Sequence, residues 1–432
     1  MKSRFRKISG SIMAPKGFRA AAVFCDIKRL GTGTGSNKDK KGDLALIVSD
    51  VPAAVAGLFT TNQVAAPPVK LSAERVARGV AQAIVVNSGN ANACTGARGL
   101  ADAKEMTRVA ARELGFREGD LLVGSTGRIG VLLPMTNVKR GIRAAARALR
   151  PGAANATRVA EAIMTSDTRR KEIAVEFKLD RKTVRIGGIC KGAGMIHPMM
   201  RTPAGLHATM LSFITTDAAI APVALNRALE IAVDQSFNRI TVDGDMSTND
   251  TVIALANGVA GNRQMTRPAP LFQDALNFVT RELAKMIVLD GEGASRFVTV
   301  VVHGARSAPD ADSAARAIAN SVLVKTSWCG GDPNWGRVLC AAGYSRARFD
   351  QTNVDIAYKS AALPAMRYAL RNGQPTRTPL ASLIEIVGAK EFEIHVFLHA
   401  GKRDAQMYAS DLSEEYVSFN KGDLSDPKAL GG

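Results

Sequence analysis

Thr209 stands in His207-Ala208-Thr209-Met210-Leu211-Ser212-Phe213-Ile214-Thr215-Thr216, downstream of Gly187-Gly188-Ile189-Cys190-Lys191-Gly192-Ala193-Gly194-Met195-Ile196-His197-Pro198. A glycine-rich, lysine-bearing loop thus leads to a small residue and then a threonine, near mid-chain. A chain that cuts itself before this threonine would expose one residue carrying both a hydroxyl nucleophile and an amine base.

Other polar clusters read less sharply. Gly124-Ser125-Thr126-Gly127-Arg128-Ile129-Gly130 has the composition of an exposed backbone corner whose amides and Thr126 hydroxyl could hold an oxyanion. Asn87-Ser88-Gly89-Asn90-Ala91-Asn92-Ala93 ends a strand in small polar groups, either as a structural turn or as a ligand loop. Asp243-Gly244-Asp245-Met246-Ser247-Thr248-Asn249-Asp250 is dense in acids but lacks calcium-loop spacing and its closing glutamate. Gly330-Gly331-Asp332-Pro333-Asn334-Trp335-Gly336-Arg337 reads as an ordered turn. No metal site is expected.

The elements that must position these groups alternate in the α/β manner. Leu44–Val48, Ala83–Val86 and Val298–Val302 read as buried strands. Phe392, Ile394, Val396 and Leu398 alternate with Glu393, His395 and Phe397, as in a strand with one wetter face. Helices are expected over Ala101–Leu114, Ala314–Val322 and the stretch around Lys139, where Val138, Ile142, Ala145 and Leu149 form the buried stripe. Gly31 to Gly42 reads as a flexible, solvated loop.

At 432 residues and 45.7 kDa the chain is long enough for about two or three domains. No apolar run reaches membrane-span length. The five cysteines form no CxxC pair, which argues against a disulfide framework or a zinc site and fits a reducing cytoplasm. The basic start, Met1-Lys2-Ser3-Arg4-Phe5-Arg6-Lys7, leaves a mitochondrial-matrix location as the alternative. The net charge of +18 raises nucleic-acid binding, but 5% aromatics and no recognisable nucleic-acid motif argue against it. Solvated basic faces, or a field that attracts an anionic substrate, explain the charge instead. Neither a GxxxxGK(S/T) loop nor a GxGxxG after a strand is present, so nucleotide binding by those routes is not expected.

Together these segments make the chain resemble the ornithine acetyltransferase family, the glutamate N-acetyltransferases also called the ArgJ family. The resemblance runs from about Ala14 to Ser425. It rests on Ala14-Pro15-Lys16-Gly17-Phe18-Arg19-Ala20, Asn87 to Ala93, Ser125-Thr126-Gly127, Lys191 to Ile196, Ala208-Thr209-Met210-Leu211, Asp243-Gly244-Asp245, Ser247 to Asp250, Gly291-Glu292-Gly293 and Asp332 to Arg337. It implies a DmpA/ArgJ-like α/β fold of layered sheets and helices in two lobes, of the self-processing N-terminal-nucleophile type. It implies cleavage between Ala208 and Thr209, giving an α chain (1–208) and a β chain (209–432). The hydroxyl of Thr209 would take the acetyl group of N2-acetylornithine and pass it to glutamate in a ping-pong scheme. Thr126 and Gly127 match the oxyanion pair and Glu292 the catalytic-site glutamate. Thr165, Lys191, Thr209, Glu292, Asn420 and Ser425 match substrate contacts, with Ser425 where threonine is usual. No bound cofactor is implied, though acetyl-CoA enters as a co-substrate in some members. The expected assembly is a heterotetramer of two α and two β chains, cytoplasmic, without nucleic-acid or membrane partners.

The departures bear on activation. Eighteen positions separate Lys191 from Thr209, seven more than in the family pattern, and Met199 replaces the usual asparagine after Pro198. Self-cleavage needs a tightly held peptide, so the extra residues either hinder it or bulge outward without effect. Arg128 and Met246 replace smaller family residues beside the site. Two alternatives therefore stand beside the transferase. One is a related N-terminal-nucleophile amidohydrolase or aminopeptidase; the other is an uncleaved, inactive homologue serving as a binding or regulatory subunit.

Overall fold

The computed structural model describes residues 4–28, 41–200 and 210–421. Ala208, Thr209, Ser425, His207 and residues 31–40 of the glycine-rich loop lie outside the described residues.

The first part of the chain lays down β1 (Arg6–Ile8), β2 (Phe18–Val23), β3 (Leu44–Phe59), α1 (Pro67–Val76), β4 (Val80–Asn90), α2 (Gly96–Leu114), β5 (Leu121–Arg128), α3 (Met135–Ala148), α4 (Ala153–Ala162), β6 (Lys171–Leu179) and β7 (Lys182–Lys191). Then come β8 (Leu211–Thr216), α5 (Pro222–Asp234), β9 (Ile240–Thr241), β10 (Thr251–Ala256) and α6 (Pro270–Leu289). The rest is β11 (Phe297–Ala305), α7 (Ala308–Asn320), α8 (Val322–Cys329), α9 (Trp335–Gly343), β12 (Asp355–Ser360), β13 (Arg367–Arg371), β14 (Gln374–Pro375), α10 (Leu380–Gly388), β15 (Glu391–Phe397), β16 (Arg403–Ser410) and α11 (Glu414–Phe419). The strands expected from sequence fall in β3, β4, β11 and β15, with Leu398 one residue beyond the end of β15.

The first lobe is one sheet folded over itself. Its strands run β1-β6-β7-β8-β10-β3-β4-β5, with β2 also paired to β3. The ladder between β3 and β4 shifts register between Val48 and Ala53. There Asp50, Val51 and Pro52 are exposed, as a proline within a strand requires at a bulge. Alternation along β3 then decides the layering. Leu44, Leu46 and Val48 pack on Met106 and Val109 of α2 and Val138, Ile142 and Ala145 of α3. Ala45 and Ile47 face inward, and with Ile84, Val86 and Leu122 they meet Leu211, Phe213, Ile253 and Leu255 from the other half of the sheet. The outer face of that half, Val175, Ile186, Ile214 and Val252, is covered by Leu229 of α5 and Leu276 and Leu283 of α6. The result is four layers, helix–sheet–sheet–helix, and of the three cores between them the middle one and the one under α5 and α6 draw residues from before and after position 209.

The second lobe is a sheet of order β14-β13-β12-β15-β11-β16-β9. Val298, Val300, Val302, Ile394 and Val396 face a core shared with Ile318 of α7, Trp328 of α8 and Ile386 of α10. Three details differ from expectation. His395 lies on the wetter face yet is 5% exposed, because its ring bonds His303 at 2.9 Å and Glu393 at 2.9 Å. The helix expected through Val322 ends at Asn320, since the Ser321 side chain caps a new helix by accepting from the Val324 amide. The expected turn at 330–337 passes into α9 at Trp335, because the Asn334 side chain accepts from the Arg337 amide at 3.1 Å.

Among the described residues no helix is long and apolar enough to cross a membrane. Among them, likewise, no group of three or more His, Cys, Asp or Glu side chains could hold a metal ion.

Candidate active site

Thr126 and Gly127 close β5, which runs parallel to β4 with Ser88 opposite Thr126 and Gly89 opposite Gly127. The corner expected to be exposed is not: Thr126 is 5% exposed, because the folded-over sheet and the Asn87–Ala93 segment cover it. Asparagines supply the polar partners this burial demands. Asn87 accepts from the Ser125 hydroxyl at 2.6 Å and donates to the Asn90 carbonyl at 2.8 Å. Asn249, which precedes β10 in the facing layer, donates to the carbonyls of Ala91 at 2.6 Å and Ser125 at 2.9 Å. The Asn87 segment is thus the scaffold of the turn, and Asn249 ties it to the strand that flanks β8.

Lys191 ends β7 and pairs with Leu211 at the start of β8. It is 4% exposed, which rules out an ordinary surface lysine. Its partner is Asp167, with Nζ 3.9 Å from the carboxylate. Asp167 also accepts from the Thr165 amide at 3.0 Å, the Gly192 amide at 2.7 Å and the Lys171 ammonium at 2.6 Å. Burial works to raise the Asp167 carboxyl, but Lys191, Lys171 and the Gly192 amide outweigh it and hold it at about 2. Burial pushes the Lys191 ammonium below the usual lysine range, Lys171 adds to that push, and Asp167, Glu292 and Asp250 oppose it.

Glu292 sits over Gly194, where an added Cβ would meet its carboxylate at 2.3 Å and force that carboxylate to move. Its amide donates to the Ala193 carbonyl at 2.9 Å, and its carboxylate accepts from Asn420 at 2.9 Å. Asp243 holds the same loop by accepting from the amides of Met195 at 2.5 Å and Ile196 at 2.8 Å and from the Tyr416 hydroxyl at 3.3 Å.

The structure therefore joins Thr165 to Lys191 through Asp167, and Glu292 to Asn420 directly. It carries Thr126 and Gly127 on the facing sheet, tied in through Asn249. Sequence reasoning missed Asp167, Lys171, Asp290, Asn249 and Lys28. Lys28 is 5% exposed and packs on Gly89, where a Cβ would lie 2.6 Å from its Cα. Burial pushes its ammonium down to about 8, with Asp43 and Asp167 opposing and Lys191 adding to the push. Asn249 stands in the Ser247 to Asp250 motif without a role assigned, and the others are defined mainly by partners distant in sequence, such as Lys191 and Asp290. A groove of about 610 Å³ between α1 and α2, over Lys70, Cys94 and Lys104, contains none of the expected site residues.

The Asp167 geometry has a consequence for acid stability. Its folded value of about 2 lies below the ordinary 3.8. Its contribution is complete above the unfolded value and is lost as pH falls from about 4 toward about 2. Urea unfolding across that window should show this loss, and Asp167→Asn should flatten it.

Residues 21–422 match the ArgJ family. The chain belongs to that family. It is 48% identical to the arginine biosynthesis bifunctional protein ArgJ of Symbiobacterium thermophilum over 417 residues, 96% of this chain and 98% of that one. It is 46% identical to the glutamate N-acetyltransferase of Methanocaldococcus jannaschii over 423 residues, again 96% and 98%. A solved chain of the ArgJ from Bacillus halodurans is 40% identical with a TM-score of 0.42, covering 46% of this chain and 100% of its own. As an ArgJ-family member the chain is an acyltransferase of arginine biosynthesis.

Proposed function

We propose that the chain moves an acetyl group from N2-acetylornithine to glutamate through an acetyl ester on Thr209, after cleavage between Ala208 and Thr209 into an α chain (1–208) and a β chain (209–432). The observation that carries this reading is the pairing of a buried cation with a carboxylate on the neighbouring turn: Lys191 at 4% exposure, and Glu292 bonded through its amide to Ala193. An amino acid with an α-carboxylate and a terminal ammonium fits that pair, the carboxylate on Lys191 and Thr165 and the ammonium on Glu292 and Asn420. Ser425 would complete the contacts.

Placement of the nucleophile is supported by its neighbour. The Met210 carbonyl accepts from the Thr251 amide at 2.7 Å and the residue packs beside Gly192, so the chain next to Thr209 is fixed between Lys191 and Asn249. The Thr209 hydroxyl attacks the acetyl carbonyl carbon and its proton passes to the Thr209 α-amine, which titrates near pH ~8. The oxyanion that forms faces Thr126 and Gly127. Collapse breaks the amide C–N bond, and ornithine leaves with the proton on its amine. The glutamate amine then attacks the ester, and the same steps in reverse release N-acetylglutamate and the free hydroxyl. Acetyl-CoA as an alternative donor, and a tetramer of two α and two β chains, belong to the same proposal.

Purified protein with labelled N-acetylornithine should yield labelled N-acetylglutamate in amounts that rise with glutamate at the expense of free acetate. Release of acetate alone, whatever the glutamate concentration, would instead favour the hydrolase reading.

A further inference from the structure

Lys171 is wholly buried, with Nζ 2.6 Å from an Asp167 oxygen and 2.5 Å from an Asp290 oxygen. Both carboxylates hold further partners, on the oxygen that meets Lys171 as well as on the other. Asp167 holds the Thr165 and Gly192 amides and faces Lys191. Asp290 holds the Thr168 amide at 3.1 Å and the Thr168 hydroxyl, and it stands two residues before Glu292. Lys171 thus ties the loop of Thr165 and Asp167, which faces Lys191, to the end of the turn that carries Glu292, beside the backbone bond from the Glu292 amide to the Ala193 carbonyl. Buried charges hold such geometry because removing one partner strands the others away from water. We propose that Lys171 is a positioning residue that fixes the spacing between Lys191 and Glu292, and thereby the length of amino-acid side chain the site accepts. The inference rests on the acetyl-transfer reading, since it assigns the two ends of the donor to those two residues.

The test uses the full-length protein with glutamate as acceptor and three donors: N-acetylornithine, N2-acetyl-2,4-diaminobutyrate one methylene shorter, and N2-acetyllysine one methylene longer. In Lys171→Met and in Asp290→Asn, KM for N-acetylornithine should rise about tenfold with kcat changed far less, and the preference over both homologues should shrink. Lys171→Arg, which can still bridge two carboxylates, should recover part of both effects. The groups facing Lys191 are Asp167, Lys171, Glu292 and Asp250, with Lys28 nearby. Removing the Lys171 cation should therefore move the alkaline limb of kcat/KM upward, while Asp290→Asn, which keeps both ammoniums, should leave it in place. A purely structural role would not separate the two variants in this way. If Lys171→Met does not fold, the nearly isosteric Asp290→Asn decides the matter alone. Folded variants that keep the wild-type KM and donor preference overturn the inference, while a wild-type protein that transfers no acetyl group overturns the reading beneath it.

Discussion

Gly127→Ala is expected to lower kcat for acetyl transfer by about 10²–10³ while leaving the chain folded. The added Cβ would lie 2.3 Å from the carbonyl carbon of Gly89 and 2.5 Å from the amide nitrogen of Asn90. Both are backbone atoms of β4, so no side chain can swing aside to make room. The φ of +131° at Gly127 adds strain for any other residue. Relief must come from parting β4 and β5 at the point where Gly89 faces Gly127, and that displaces the amide and the Thr126 hydroxyl proposed to face the oxyanion. Gly130→Ala is the control. Gly130 also has a positive φ, +81°, but nothing lies within 4 Å of its added Cβ. It should cost about 1–3 kcal/mol of stability with little effect on kcat. Steady-state kinetics on the two variants, with melting curves for each, separate displacement of the oxyanion pair from general backbone strain.

Thr209→Ala should give a single 45.7 kDa chain and lower acetyl transfer by on the order of 10⁴-fold or more. One hydroxyl serves both reactions in this account. In the precursor it attacks the Ala208 carbonyl carbon, the peptide nitrogen leaves with the proton, and water resolves the ester to free Thr209. In the mature protein it attacks the donor. Thr209→Ser keeps the hydroxyl and should retain both reactions at reduced rate, because the missing methyl leaves χ1 less restricted. Loss of cleavage without loss of transfer, or the reverse, would show that the two reactions use different groups.

Much of the architecture was legible because burial leaves a direct trace in sequence. The unbroken apolar run at Leu44–Val48 can be satisfied only between two covered faces, and the structure covers both, whereas at Val298–Val302 only Val298, Val300 and Val302 enter a core and Thr299 and Val301 are half-buried. The stripe Val138, Ile142, Ala145, Leu149 is buried as its helical spacing requires. The fold-over of β3 was not legible, because the bulge at Asp50–Pro52 looks locally like any polar interruption. For the same reason the Thr126 corner was expected in solvent: what covers it is the far half of a sheet reached through that bulge. The candidate site was named from motifs, down to Lys191 and Glu292, and not from physics. Nothing local to Lys191 states that it is buried, and nothing local to Asp167 or Lys171 states that they meet Asp290. Those facts come from the meeting of β6, β7 and the end of α6, segments joined only by tertiary structure. His395 shows the converse error: alternation assigned it correctly to the wetter face but could not foresee that His303 would bury it.

The most direct measurement is the intact mass of freshly purified protein under denaturing conditions, before and after brief exposure to N-acetylornithine without glutamate. The account predicts two fragments that meet between Ala208 and Thr209, with the fragment beginning at Thr209 gaining one acetyl group that glutamate then removes. A single 45.7 kDa species that persists through long incubation and takes up no acetyl group would contradict it, and would show that the longer segment before Thr209 prevents activation.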